Sequence, residues 1–238
     1  MRGLGLWLVV TLPWLAPAAQ SQPCRLALAL AFDVSRSVDG RDYDIQREGL
    51  LAALADPGIR GAFLRGDPVA LAVYEWSGAR HQEMVADWRL VLSAADLDRV
   101  AAEIAAHRRW PVGLPTATGA ALAFGHDLLA RAPACRAQVI DISGDGQSND
   151  GPEPDRITAG WDDGITVNAL AIGEHEIGLV DYLHRKVVRG PGAFVEYAAR
   201  HTDFPPAIRR KLWRELTEPV FGRPRPPVPG LSFPAPRG

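Results

Sequence analysis

Short apolar runs alternate with stretches of helical spacing along most of the chain. Leu26 to Phe32 is a nearly unbroken apolar run that stops at Asp33, the pattern of a strand covered on both faces. Tyr43 to Leu54 carries Ile45, Leu50, Leu51 and Leu54 at helical spacing, and Asp56-Pro57-Gly58 is a stop. Val69 to Trp76 reads as a second strand, and His81 to Ala86 as a short one after a Ser77-Gly78 turn. Ser93 to Ala106 reads as a helix with Ser93 as its cap and Leu97, Val100 and Ile104 on one face. Thr116 to Ala132 is an Ala/Leu-rich helix entered through Gly113-Leu114-Pro115, and Ala137 to Ile142 is a strand that ends at Ser143-Gly144-Asp145-Gly146. A short helix over Pro154 to Trp161, a strand over Ile165 to Ile172 and a helix over Ile177 to Val188 follow. After the turn at Gly190-Pro191-Gly192, Ala193 to Tyr197 reads as the last strand and Phe204 to Leu216 as the last helix. This order predicts an α/β fold: a doubly wound, mostly parallel sheet with helices on both faces.

The 238 residues, 47% of them hydrophobic, suffice for one core and are lean for two. Arg2, the apolar Leu4 to Leu15 and the small residues of Ala16-Pro17-Ala18 predict a signal peptide over residues 1–21, with an uncleaved anchor as the alternative. The apolar run falls short of the ~20 residues a spanning helix needs, so no membrane span is expected after cleavage. The domain is placed over 22–221. Gly222-Arg223-Pro224-Arg225-Pro226-Pro227 opens a Pro-rich flexible tail over 222–238. A net charge of −2 leaves no basic footprint for nucleic acid, and Arg209, Arg210 and Lys211 read as a solvated helix face. Export to the periplasm or the medium favours a disulfide between the two cysteines. Cys24 and Cys135 each precede a strand, and parallel neighbours would bring them into reach; two unpaired buried thiols are the alternative.

Open parallel sheets bind ligands at the carboxyl ends of their strands. Three polar segments fall there: Asp33-Val34-Ser35-Arg36-Ser37, Thr116-Ala117-Thr118-Gly119, and Asp145-Gly146-Gln147-Ser148-Asn149-Asp150. The Ser35, Ser37 and Thr116 hydroxyls with the Asp33 and Asp145 carboxylates form an oxygen set suited to magnesium, or to manganese or calcium. Gly144 and Gly146 would let backbone pass close to the ion. Asp33 and Asp145 acting as helix caps, with Ser35 bonded to loop backbone, is the competing local role. Asp141 and Asp150 read as sheet and loop polar residues, and Thr118 as an outer contact or a helix-start hydrogen bonder.

The Asp-x-Ser-x-Ser, Thr-x-Thr-Gly and Asp-Gly segments together resemble the metal-ion-dependent adhesion site of von Willebrand factor A domains. The resemblance covers Arg25 to Phe221, and the whole chain resembles a bacterial family of exported A-like proteins of undefined role. It implies Ser35, Ser37 and Thr116 as hydroxyl ligands, with Asp33 and Asp145 bound directly or through water. Thr118 and Gly146 would stand just outside them. It further implies a protein or surface partner whose accessible carboxylate completes the coordination, and it sets the first and fourth strands side by side, which supports a Cys24–Cys135 bridge. Trp76 and Ser77 after the second strand, and Arg36 within the first motif, depart from the usual pattern. The Arg36 cation would either weaken the ion or attract an acidic ligand.

Enzyme signatures are absent from the sequence. The six histidines are scattered with no His-Glu-x-x-His pairing, and Glu174-His175-Glu176 reads as a solvated loop. No Gly-x-Ser-x-Gly elbow or Gly-rich phosphate loop occurs. The expectation is a non-enzymatic, metal-dependent binding module. The alternatives are a magnesium-dependent phosphoryl hydrolase and a metal-free interaction protein with the same fold.

Overall fold

The first strand, β1 (Cys24–Asp33), alternates large and small apolar residues, and the two sets enter different layers. Leu26, Leu28, Leu30 and Phe32 pack into one core, whereas Ala27, Ala29 and Ala31 face the other. Successive side chains of a strand point to opposite faces, so one continuous apolar run serves two helix layers. Burying each leucine contributes roughly 1.5–3 kcal/mol relative to exposure.

The computed structural model describes residues 24–109, 113–161, 164–173 and 176–218. After β1 come α1 (Gly40–Ala55), α2 (Pro57–Phe63), β2 (Val69–Trp76), β3 (Gln82–Val91) and α3 (Ala94–Ala106). Then follow α4 (Thr118–Ala130), β4 (Cys135–Gly144), α5 (Pro154–Thr158), β5 (Ile165–Ile172), α6 (Leu179–Lys186), β6 (Val195–Ala198) and α7 (Phe204–Thr217). The strands form one sheet in the order β3-β2-β1-β4-β5-β6. All pairings are parallel except the edge pair β2–β3. Helices α1, α2, α3 and α7 cover the leucine face of β1, and α4 and α6 cover the alanine face. The expected doubly wound architecture is the observed one.

Several boundaries move for local reasons. Helix α1 starts before Tyr43 because the Asp39 side chain accepts from the amides of Arg41 and Asp42. The stop at Asp56-Pro57-Gly58 also starts a helix: Asp56 ends α1, then accepts from the Ile59 amide, with Pro57 in the first turn of α2. Strand β3 runs on to Val91, past the expected end at Ala86, because this edge strand is mostly half-buried and lacks a continuous apolar signal. Thr116 lies in the loop before α4 and not in the helix.

Two sequence expectations about charge and sulfur meet different ends. Lys211 does not share the exposure of Arg209 and Arg210. It is fully buried, with Nζ 2.6 Å from Asp141 Oδ1 and 2.9 Å from Glu215 Oε1. The reading of a solvated basic face therefore fails at that residue, because α7 turns it onto β4. Cys24 and Cys135 stand opposite each other in the β1–β4 register and are joined by a disulfide, with Cα atoms 4.3 Å apart. The leader expected over 1–21, the tail expected over 222–238, and Glu174 and His175 lie outside the described residues. Among the described residues no helix is long and apolar enough to cross a membrane.

Candidate metal centre

Because β1 and β4 are central neighbours, Asp33 and Asp145 leave the sheet side by side at its carboxyl edge. Asp33 is the last residue of β1 and Asp145 follows the last residue of β4; both are fully buried. Asp33 Oδ1 accepts from the Ser35 amide at 2.7 Å, which folds the loop back and turns Ser35 toward the same point. Ser35 Oγ lies 3.3 Å from Ser37 Oγ and accepts from Thr116 Oγ1 at 3.1 Å. Ser37 Oγ donates to Asp145 Oδ1 at 2.6 Å. Asp33, Ser35, Ser37, Thr116 and Asp145 thus form one connected cluster drawn from three distant segments.

Among the described residues no Lys, Arg or His side chain is hydrogen-bonded to Asp33 or Asp145. Asp33 Oδ2 and Asp145 Oδ2 are buried and accept no hydrogen bond from the described residues. Burial first, and the nearby Asp145 second, push the Asp33 carboxyl up to about 7, against the opposing pull of the Ser35 bonds and Arg109. Two buried carboxylates with orphan oxygens beside three hydroxyls fit a small, hard dication, which takes oxygen ligands and neutralises both acids. Among the described residues no three or more His, Cys, Asp or Glu side chains are grouped to hold a metal ion, so this candidate site consists of two carboxylates and three hydroxyls.

The surroundings hold these groups in place. Arg109 donates to the carbonyls of Val34, Ser35, Val38 and Asp39, at 2.6–3.2 Å, so one guanidinium fastens the whole β1–α1 loop. The Thr116 amide donates to Asn149 Oδ1 at 3.0 Å and its carbonyl accepts from the Asn149 amide at 2.8 Å. The Thr118 amide donates to Ser148 Oγ at 3.2 Å. Asp150 Oδ2 accepts from the Ala79 amide, a loop role as expected. A Cβ on Gly119 would sit 2.0 Å from the Pro152 carbonyl oxygen, which accounts for the glycine that closes the Thr-x-Thr-Gly segment. At Gly144 a Cβ would stand 3.1 Å from Asp33 Oδ2, so the close approach expected there is present, whereas Gly146 has ordinary room.

Sequence reasoning missed Arg109, Ser148 and Asn149, which lie outside the ligand pattern and act on backbone. It also set Glu176 in a solvated loop. In the structure Glu176 Oε2 accepts from the Gln147 amide at 2.7 Å, two residues after Asp145. Arg36 is exposed and lines an open depression of about 480 Å³ with Ser37, Pro115, Thr116 and Asn149, a set that does not include Glu176. Its side chain makes no hydrogen bond or ion pair among the described residues. Trp76 is buried, with Cζ2 3.6 Å from the position a Cβ would take on Gly144.

Similar solved structures share this fold at low identity. Proximal thread matrix protein 1 from the mussel byssus superposes with a TM-score of 0.59 at 14% identity, over 82% of this chain and 46% of that one. The same protein is also known with a zinc-occupied metal-ion-dependent adhesion motif. A von Willebrand factor type A protein from Catenulispora acidiphila gives 0.57 at 15% identity, over 81% of this chain and 43% of that chain. The PilB minor pilin from Streptococcus sanguinis gives 0.59 at 14%, over 84% and 63%. The chain therefore spans between two fifths and two thirds of the length of these relatives, and its fold is that of von Willebrand factor A domains. No curated protein matches it. The family described as Protein of unknown function (DUF1194) matches residues 23–220, and the chain belongs to that family.

Proposed function

We propose that this protein is an exported binding module that holds a divalent cation, magnesium in the first instance, between Asp33, Ser35, Ser37, Thr116 and Asp145. A protein or surface partner with an accessible carboxylate completes the coordination from the open depression beside Arg36. The observation that carries this reading is the pair of buried, unpartnered oxygens, Asp33 Oδ2 and Asp145 Oδ2, beside three clustered hydroxyls. A dication bound there supplies a Lewis-acidic position for an acidic ligand; the chain's own oxygen groups fix it and suit a hard cation. The zinc-occupied motif of the byssus relative supports a metal in this place, and the pilin relative supports a role at a surface. Residues 1–21 act as the leader, and the Cys24–Cys135 bridge suits an oxidising compartment. Residues 22–221 form the binding module, followed by the Pro-rich segment 222–238.

Titration calorimetry of the mature protein with magnesium and manganese tests the site. Saturable binding is expected for the native protein and loss of it for Asp33→Ala and Asp145→Ala, with melting behaviour retained. Unchanged affinity in both variants rules the site out. Turnover of generic phosphoesters that depends on the same carboxylates would move the reading to a hydrolase.

A further inference from the structure

Glu176 stands in the loop between β5 and α6, a fourth segment that none of the three motifs contains. Its Oε2 accepts from the Gln147 amide at 2.7 Å. The position a Cβ would take on Gly146 is 3.6 Å from that oxygen and 4.0 Å from Thr116 Oγ1. Glu176 and the Thr116 hydroxyl therefore flank the same glycine, the residue that follows Asp145. Among the described residues no Lys, Arg or His forms an ion pair with Glu176. Arg109 is committed to loop carbonyls on the other side of the cluster. Glu176 thus stands beside the turn that follows Asp145, without joining Asp33 and Asp145 in a ligand group of three, while those two carry buried oxygens with no partner.

We propose that Glu176 is a third acidic group of the metal centre, which strengthens cation binding through its charge. This rests on the metal reading above. The hydrogen bond to Gln147 occupies one oxygen and aims the carboxylate at the Asp145-Gly146-Gln147 turn. A partly buried charge there is less screened by solvent than one on an open surface, so it acts on a dication a short distance away. Glu176 also sets a condition on partners. An acidic ligand approaching the ion is repelled from the Glu176 side and attracted from the Arg36 side, so it enters over the depression between Arg36 and Asn149.

The test measures magnesium and manganese affinity by calorimetry for the native protein, Asp145→Ala, Glu176→Gln and Glu176→Ala, at low and high salt. Glutamine keeps a carbonyl oxygen for the Gln147 amide and removes the charge. Glu176→Gln is expected to weaken binding about three- to tenfold at low salt, with the difference shrinking at high salt and the melting temperature unchanged. If Glu176→Gln binds like the native protein while Glu176→Ala is weakened, Glu176 only fastens the loop and the proposal is overturned. If both match the native protein while Asp145→Ala loses binding, the proposal is overturned and the metal centre stands. If Asp145→Ala also binds normally, both fail.

Discussion

The hydroxyl of Ser37 donates to Asp145 Oδ1 at 2.6 Å, joining the loop after β1 to the loop after β4 across 108 residues of sequence. This bond satisfies one oxygen of Asp145 and leaves Oδ2 buried without a partner, as Asp33 Oδ2 is. Folding has therefore brought two acids together at a cost that a bound cation would offset. Magnesium at a hundred times its dissociation constant should stabilise the native protein by about 2.7 kcal/mol. For a domain of this size that is a rise in Tm of roughly 5–10 °C. Asp145→Asn should abolish the rise, and its Tm in chelator should equal or exceed that of the native protein, because one of the two crowded charges is gone. Calorimetric scans with magnesium and with chelator check both parts; an equal magnesium shift in the variant would refute them.

Arg109 should matter to the ion without touching it. Its guanidinium binds four carbonyls between Val34 and Asp39, and it lies over the Tyr43 ring at 5.4 Å. Lysine offers one compact charge and cannot reproduce that fork. Arg109→Lys is expected to weaken magnesium binding by about tenfold, or 1.4 kcal/mol, through a looser Ser35–Ser37 turn. The global fold should persist, with faster amide exchange confined to the loop. A variant with native affinity and native exchange in residues 34–39 would show that the loop holds itself.

How much of this was legible in the sequence depends on where each constraint resides. The runs Val69–Trp76 and Ile165–Ile172 coincide with β2 and β5 because both strands are buried along their whole length, so hydrophobicity alone marks their ends. The three site segments were visible because their residue types and order carry the pattern. The roles of Arg109 and Asn149 were not, since each acts on backbone groups far away in sequence: Arg109 has no marked neighbourhood, and Asn149 stands in a site segment without belonging to its ligand pattern. Lys211 was misread for a related reason. Its flanking arginines are exposed, and only the packing of α7 onto β4 decides that this one residue points inward.

That buried lysine gives a stability prediction with a definite pH sign. Lys211 serves both Asp141 and Glu215, and Asn168 also donates to Glu215 Oε1 at 2.8 Å. Burial first, then the neighbouring Glu215, raise the Asp141 carboxyl well above its ordinary value, with Lys211 opposing. Lys211→Met removes the opposing charge and should destabilise the fold by about 3–5 kcal/mol near neutrality. Acids with raised folded values bind more protons when folded than when unfolded, so stability falls as pH rises above the unfolded range. The deficit of Lys211→Met should therefore shrink toward about pH 4 and widen toward pH 7. Urea titrations across that interval measure it. A deficit independent of pH would mean that lost packing, and not charge, dominates.

The Cys24–Cys135 bridge should contribute to stability and leave the metal centre alone. It joins the first residues of β1 and β4 and closes a separation of 111 residues. A crosslink of that span restricts the unfolded chain, with an expected contribution of about 2–5 kcal/mol. Because Cys24 is almost wholly buried, a reductant reaches the bond poorly in the folded protein, so the double variant Cys24→Ala, Cys135→Ala is the cleaner measurement. Its Tm should fall by roughly 5–15 °C. The bridge lies at the amino ends of the strands, whereas Asp33 and Asp145 lie at their carboxyl ends, and the β1–β4 ladder between them remains paired without the sulfurs. Arg25 independently ties the start of β1 to the carbonyls of Ala62, Asp67 and Leu216. Magnesium affinity in the double variant should consequently match the native protein at temperatures where both are folded. A loss of affinity alongside the loss of Tm would mean that the strand ends are mechanically coupled, and that the bridge holds the site as well as the fold.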